Sequence, residues 1–422
     1  MVASILAVTV TIVVWALLAA KLDAWRVSPA VVVVAAGALV GLSTRDSIGT
    51  ALNTDVALHT AEIVLAVLLF VDAVEVRGGL LGRNPGAALR LLFIAMPLSL
   101  AAAVGLGWLV LPQFGWATWL VVACVVVPID FAPATAILRD SRLPTRVRDI
   151  LNVESGYNDG IVSPIIIFAL IVAGDVTQQQ SPAGALGTAL PAALEAIAVG
   201  VLVGAVLAGL SNRSDSANLM SSQAKRMILV AAPLLTYALS TQIGGNGFVA
   251  AFVCGLAMHR FRKREQHLRE LELIDDVGFL LTIVMWFAFG AVAVYILGEV
   301  GDWRLWLFSA AVLTVIRIVP VLLSLIGSRL TWIESLLIGG LGPRGTTSIV
   351  FALLAFNQLR DEDDANLALT VMVLTVSGSV VLHGLGSSLT ARTYARRRPH
   401  RNRRVRAAVE GGSGPASLPP SS

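Results

Sequence analysis

Runs of about twenty apolar residues recur along the whole chain and constrain its fold more than any other feature. A helix needs about 20 mostly apolar residues to cross the hydrocarbon core of a bilayer. We number the expected spans 1 to 13 in chain order: 2–20, 28–42, 56–74, 88–111, 117–138, 150–173, 185–210, 226–241, 245–259, 275–297, 303–326, 333–356 and 366–390. The sequence therefore predicts an all-α polytopic membrane protein with about 13 transmembrane helices.

The composition leaves little room for any other class. Of the 422 residues, 56% are hydrophobic and only 14% are charged, whereas an ordinary soluble domain has about 25% charged residues. This excludes a cytosolic enzyme, a disordered chain and a small secreted domain held by disulfides. The two cysteines, Cys124 and Cys254, lie in apolar runs and are too few for a disulfide framework or a zinc site.

The basic residues orient the predicted spans. Of the 31 Lys and Arg, 26 lie in one set of alternate loops and the segment after span 13, and only Arg45, Arg304 and Arg360 lie in the opposite set. Cytoplasmic loops carry the excess of Lys and Arg. We therefore expect a multi-pass protein of the cell inner membrane or plasma membrane, with its N-terminus outside and its C-terminus in the cytoplasm.

Two spans carry helix-breaking residues at membrane depth. Span 5 has Pro128 and Pro133 on either side of Asp130, and span 12 has four glycines and Pro343 around Arg344. Irregular backbone at that depth is tolerated only where it lines a cavity or a site. Span 5 is the middle of spans 4–6 and span 12 the middle of spans 11–13, two triplets of opposite topology. Interrupted helices at matching places in inverted repeats indicate the midplane site of a secondary transporter.

Span 6 brings polar side chains to one face of a helix. Ser155 and Asp159 are four residues apart, Ser155 and Asn158 are three apart, and Glu154 precedes Asn158 by four. Side chains at these spacings lie on neighbouring turns of the same face. Their oxygen-only ligands suit a hard cation and no soft metal.

The arginine of span 12 needs a carboxylate partner. A buried, unpaired charge is strongly destabilising, and ionisable residues inside a membrane mark functional sites by default. The residues leave two partners open for Arg344, namely Asp130 and Glu154. Glu62 in span 3 could pair with Arg317 of span 11 or line an entrance.

Several motifs resemble one family. The run from Glu154 to Gly160 resembles the "ESxxND" signature of the monovalent cation:proton antiporter family, in its sodium/proton exchanger (NhaP-like) branch. Asp130 with its nearby proline resembles that family's "TDP" element. Other resembling segments are 69–73, 244–252, 342–345 and 381–384. The motifs occur in the right order and cover the chain from about residue 56 to 391.

The resemblance implies a fold of thirteen helices with inverted repeats and two crossing interrupted helices, a homodimer, and a core bundle that moves against a dimerisation domain. It divides the chain into five regions: 1–87 (dimerisation and scaffold helices), 88–174 (first part of the core bundle), 185–300 (linker and scaffold helices), 303–391 (second part of the core bundle) and 392–422 (basic, disordered cytoplasmic tail). It also implies exchange of Na⁺, sometimes Li⁺ or K⁺, for H⁺.

The resemblance assigns roles to individual residues. Asp159 would bind either cation or proton, Ser155 would be a cation ligand, Glu154 would hold the cation through a water, Asn158 would steady the broken helices, and Asp130 and Arg344 would form a buried ion pair. The family usually has threonine where this chain has Ile129. Only the backbone carbonyl of Ile129 could then contribute to the site.

These assignments predict a mechanism. Cation and proton would compete for Asp159, and because Asn158 replaces a second aspartate, one cation would exchange for one proton without net charge movement. We expect no enzymatic activity, no cofactor and no nucleic-acid partner; the partners are the transported ions, membrane lipid and a second copy of the chain. The alternatives are a K⁺/H⁺ or Li⁺/H⁺ antiporter of the same fold, or a non-transporting ion or pH receptor.

Overall fold

The computed structural model describes residues 2–25, 28–43, 55–76, 81–174, 181–262 and 264–385, which form helices and no strand. In chain order the helices are α1 (Val2–Trp25), α2 (Pro29–Ser43), α3 (Asp55–Glu75), α4 (Pro85–Val110, with a π-helical turn at Leu91–Ala95), α5 (Trp116–Val126), α6 (Ala136–Arg139), α7 (Thr145–Ala173), α8 (Pro182–Ser216), α9 (Ser222–Gln242), α10 (Gly247–Phe261), α11 (Arg264–Glu299), α12 (Trp303–Leu313), α13 (Val315–Ser324), α14 (Trp332–Gly340), α15 (Thr346–Gln358) and α16 (Glu362–Ser379).

The predicted all-α membrane architecture is confirmed. Six helical stretches among the described residues are long and apolar enough to cross a membrane: α4, α7, α8, 270–299 of α11, α12 with α13, and α16 with the residues after it up to His383. Five shorter apolar helices accompany them, among them α2, α5, α10 and α15. The count of thirteen crossings stays a prediction, and the tail 392–422 lies outside the described residues.

Both predicted helix interruptions are present, and they touch. The helix of span 5 stops at Val126, and regular α-helix resumes only at Ala136. The helix of span 12 stops at Gly340 and resumes at Thr346. The backbone N–H of Asp130 donates to the carbonyl oxygen of Pro343 at 2.9 Å, so the two interrupted segments lie directly against each other.

Small residues let α8 and α10 pack closely. A Cβ added at Gly200 would lie 2.6 Å from the carbonyl oxygen of Ala250, and one at Gly204 would lie 2.6 Å from that of Cys254. Both distances are shorter than any side chain tolerates, so glycine is required at both positions. Small residues four apart are the usual device for close helix approach in membranes.

Loops that the alternation of spans places on the basic side do meet. Arg146 donates from Nε to Oδ1 of Asn84 at 2.8 Å and from Nη1 to the carbonyl oxygen of Arg329 at 2.9 Å. At the opposite ends of the helices, Thr118 donates to Asp364 Oδ2 at 3.0 Å. These contacts join loops that the alternation of spans places on the same side, and the orientation of the chain in the membrane stays a prediction.

A group of charged residues, which we call the Arg262 network, joins α8, α10 and α11 on the basic side. Arg262 is 5% exposed; it donates to Glu270 from Nε at 3.0 Å and from Nη2 at 2.6 Å, and to Asn212 from Nη1 at 2.8 Å. It also pairs with Asp215, which in turn binds Lys225. Burial alone would lower the pKa of Arg262, but the hydrogen bonds to Glu270 and Asp215 outweigh it and leave that pKa raised.

Candidate cation site at the helix crossing

Asp130 lies at the start of α15 rather than beside an arginine. Its Oδ1 accepts a hydrogen bond from the backbone N–H of Ala132 at 2.7 Å, and its Oδ2 accepts one from the backbone N–H of Thr347 at 3.4 Å. The first N–H groups of a helix lack partners within the helix and carry partial positive charge. The N-terminal end of α15 therefore compensates the carboxylate of the other interrupted segment.

Arg344 occupies the complementary position. The side chain is fully buried, at 1% exposure; its Nε donates to the carbonyl oxygen of Val126 at 2.6 Å and its Nη1 to that of Gly342 at 2.9 Å. Val126 is the last residue of α5, and the C-terminal end of a helix carries partial negative charge. Arg344 thus compensates the end of α5.

The ion pair expected between Asp130 and Arg344 is not formed. No salt bridge joins these two side chains in the part of the chain that the structure describes. Each instead binds one backbone group of its own segment and one at a helix end of the opposite interrupted segment. The charges of Asp130, Arg344 and the two helix ends therefore compensate one another at the crossing, although the carboxylate and the guanidinium do not touch.

Glu154 pairs with Arg317, not with Arg344. Arg317 donates from Nη1 to Oε1 at 2.5 Å and from Nη2 to Oε2 at 2.8 Å, a two-pronged pairing of the strong kind. Both residues are buried, at 3% and 4% exposure. The alternative that gave Glu154 to Arg344 and the one that gave Arg317 to Glu62 are both wrong, because α13 brings Arg317 against α7. Arg317 could have been found by the depth argument already applied to Arg344.

The polar face of span 6 meets the interrupted segment as expected. Asn158 donates from Nδ2 to the carbonyl oxygen of Ile129 at 2.7 Å, and Ser155 donates from Oγ to the same oxygen at 3.3 Å. The Ile129 carbonyl, left free by the helix break, is thereby fixed beside Ser155 and Asn158. Asp159 lies one residue further along α7 and is 2% exposed.

A residue from the other interrupted segment completes the arrangement. Thr347 donates from Oγ1 to Asp159 Oδ2 at 2.6 Å. The sequence reasoning passed over Thr347, although its signal was present: two adjacent threonines and a serine directly after the Gly-Pro-Arg-Gly motif of a broken transmembrane helix. The site is therefore built from both interrupted helices and α7.

Two oxygens of the site have no hydrogen-bonding partner among the described residues. They are Oδ1 of Asp159 and Oδ1 of Asn158, both fully buried. Buried polar atoms are almost always hydrogen-bonded, and exceptions call for an explanation. A carboxylate oxygen and an amide oxygen are ligands that a hard cation prefers, so this donor set fits a small monovalent cation.

A cavity of about 650 Å³ adjoins this site. Asp130, Ser155, Thr346 and Thr347 line it at the helix crossing. It is also lined by the acids Asp72, Glu75, Asp275 and Asp276 and by the basic Arg139. A cleft lined mainly by one sign of charge raises the local concentration of counter-ions, so this cavity attracts cations.

Comparisons with known proteins agree with this architecture. The family model described as "Sodium/hydrogen exchanger, transmembrane" matches residues 6–392. A Na⁺/H⁺ antiporter of Schizosaccharomyces pombe is 26% identical over 71% of this chain and 66% of its own length. A K⁺/H⁺ antiporter, NhaP of Alkalimonas amylolytica, is 28% identical over 81% of this chain and 58% of its own length. The chain thus spans about two thirds or less of these relatives.

A solved structure shows the same fold. The sodium proton antiporter MjNhaP1 from Methanocaldococcus jannaschii superposes with a TM-score of 0.75 at 20% identity, covering 91% of this chain and 99% of that one. The family model matches nearly the whole chain. This chain belongs to the transmembrane sodium/hydrogen exchanger family.

Proposed function

We propose that this protein is a secondary active antiporter that exchanges a monovalent cation, Na⁺ in the first place, for H⁺ across the cell membrane. The observation that carries the proposal is the position of Asp159: a buried carboxylate with one unpartnered oxygen, at the crossing of two interrupted helices and next to an acid-lined cavity. An intramembrane carboxylate of this kind typically belongs to an ion or proton pathway.

The geometry supports competition on one carboxylate. A cation that enters the cavity meets Asp130 and Ser155 and can then be held by Asp159 and the carbonyl oxygen of Ile129. Either the cation or a proton neutralises Asp159. Because burying an uncompensated charge is costly, the protein switches between its inward-facing and outward-facing states only when one of the two is bound. Asn158 adds no second charge, which makes the exchange one for one and electroneutral.

The sidedness follows from the basic loops. The cavity is lined by Arg139, which belongs to the same set of basic loops as Arg146 and Arg329, and the positive-inside rule makes that side cytoplasmic. The N-terminus is then outside, the C-terminus is in the cytoplasm, and the structure represents an inward-facing state in the cell inner membrane or plasma membrane. The chain acts as a homodimer, with the core bundle moving against the scaffold helices.

A K⁺/H⁺ antiporter is the second candidate. Two observations favour it: relatives of this chain carry that name, and Ile129 offers the site no side-chain hydroxyl. A K⁺ ion is larger and holds its hydration shell less tightly than Na⁺, so it can bind at a site with weaker and more distant oxygen ligands. Proton exchange measured separately with Na⁺ and with K⁺ distinguishes the two candidates.

The experiment is cation-driven proton movement in proteoliposomes that contain the purified full-length chain. We expect Na⁺ added outside to move protons across a preset pH gradient, and we expect Asp159→Asn to abolish this while the protein stays folded and monodisperse. Asp363→Asn, which changes an exposed aspartate in the first turn of α16, is the matched control and should behave like wild type. A larger response to K⁺ than to Na⁺ would support the second candidate, and exchange retained by Asp159→Asn would overturn both.

A further inference from the structure

We infer that the Thr347 hydroxyl is a direct ligand of the transported cation and a determinant of its selectivity. The inference rests on the proposed function, because it adds a ligand to the same site. It assigns to α15, and not only to α7 and the interrupted segment after α5, an oxygen that enters the coordination shell.

The position of Thr347 between cavity and carboxylate is the first argument. Thr347 lines the cavity, and its Oγ1 lies 2.6 Å from Asp159 Oδ2. Asp159 is 2% exposed and is not among the described residues that line the cavity. A cation moving from the cavity to Asp159 therefore reaches the Thr347 oxygen at the same time as the carboxylate.

The chemistry of a hydroxyl is the second argument. A threonine hydroxyl has one donor hydrogen and two acceptor lone pairs. When the hydrogen is donated to Asp159 Oδ2, a lone pair remains for a cation, and the donated hydrogen bond orients it. Asp159 Oδ1 and Asn158 Oδ1, both buried and without a protein partner, provide further oxygens for the same ion.

Position 129 cannot provide this hydroxyl. The Ile129 side chain belongs to an apolar cluster with Val321 and Leu337, and a Cβ added to Gly342 would lie 3.0 Å from its Cγ2. Only the carbonyl oxygen of Ile129 is directed towards Ser155 and Asn158. The extra hydroxyl beside Asp159 therefore comes from the opposite interrupted segment.

The backbone holds Thr347 in place for this role. Thr347 is the second residue of α15, and its N–H donates to Asp130 Oδ2 at 3.4 Å. One residue thus contacts both aspartates of the site, Asp130 through its backbone and Asp159 through its side chain. A ligand fixed at two points is already oriented for binding, which reduces the entropic cost of holding the ion.

The test measures the half-saturating concentration of Na⁺, Li⁺ and K⁺ for proton exchange in proteoliposomes. Thr347→Val keeps the shape of the side chain and removes the hydroxyl; we expect the half-saturating Na⁺ concentration to rise about tenfold or more, as expected for loss of one polar contact to a charge. The rise should be larger for Na⁺ and Li⁺ than for K⁺, since small cations bind each oxygen at a shorter distance and therefore more strongly. The maximal rate should change much less.

Two further variants separate a ligand from a structural residue. Thr347→Ser keeps the hydroxyl and should remain within about threefold of wild type. Thr236→Val removes a hydroxyl that is equally buried but donates to the carbonyl oxygen of Ala232 in α9; it is the matched control and should leave all three half-saturating concentrations unchanged. If Thr347→Val does not fold, Thr347→Ala takes its place with the same expected rise.

The outcomes also distinguish this inference from the proposed function. Absence of exchange by the wild-type chain with every cation would overturn the proposed function, and the inference with it. Wild-type exchange combined with an unchanged half-saturating concentration in Thr347→Val would overturn the inference alone. A loss that Thr347→Ser does not reverse would also overturn it, because the effect would then come from packing.

Discussion

The molecule holds two buried groups of charged residues that are built in opposite ways. In the Arg262 network, one guanidinium donates to Glu270, Asp215 and Asn212, so charge is satisfied by direct side-chain contacts. At the helix crossing, Asp130 and Arg344 each bind backbone groups, including one helix end, instead of each other. Asp159 there keeps one buried oxygen without a hydrogen-bonding partner among the described residues.

The difference separates structural charges from functional ones. A fully paired buried group holds helices together and has no capacity left for a ligand. At the crossing, helix ends take up the fixed charges, and this leaves a carboxylate oxygen for an exchangeable ion. The Glu154–Arg317 pair is intermediate: it lies beside the helix crossing and is joined by two direct hydrogen bonds, but Nε of Arg317 has no partner among the described residues. Substitutions can test which groups of charges are structural and which bind the transported ion.

The largest loss of stability is expected from breaking the Glu154–Arg317 pair. Arg317→Ala leaves Glu154 buried and unpaired, which costs about 3–5 kcal/mol; we expect the lowest Tm of the series in detergent. The double variant Glu154→Leu with Arg317→Leu should recover most of that loss, because apolar residues of similar volume often replace a buried pair at little cost. A single variant as stable as wild type would show that Glu154 is not held as a structural charge.

A smaller loss is expected from the Arg262 network. Arg262→Ala leaves Glu270 and Asp215 without their shared partner, but the network lies at the ends of helices, where water can reach both acids once the arginine is removed, so we expect a loss of about 2–3 kcal/mol. The measurement is the same Tm, together with cation exchange, which should keep its half-saturating concentration. Arg226→Ala is the matched control: its pair with Glu272 is exposed, at 3.7 Å, and its loss should cost less than about 0.5 kcal/mol. A changed half-saturating cation concentration in Arg262→Ala would contradict a purely structural role for this network.

The sequence predicted those features that depend on local backbone chemistry. Proline and glycine break a helix wherever it packs, so the interruptions around Asp130 and Arg344 could be placed, and the helical period put Ser155, Asn158 and Asp159 on one face. The fold class followed from the apolar runs alone.

The partners of the buried charges could not be predicted in the same way. Which acid meets which arginine depends on how α13 packs against α7, and the sequence contains no periodic signal for that contact. Compensation by a helix end leaves no signature either, since the partner atoms of Asp130 and Arg344 are backbone groups that every residue has. Thr347 was missed because its contact with Asp159 joins residues 188 positions apart.

The central claim is that cation and proton occupy one carboxylate in turn. Its most direct test is the proton release that accompanies cation binding by the purified protein in weakly buffered detergent solution. We expect about one proton released for each Na⁺ bound, a half-saturating Na⁺ concentration that rises as the pH falls, and no release from Asp159→Asn. Na⁺ binding without proton release, or proton release retained by Asp159→Asn, would contradict the account.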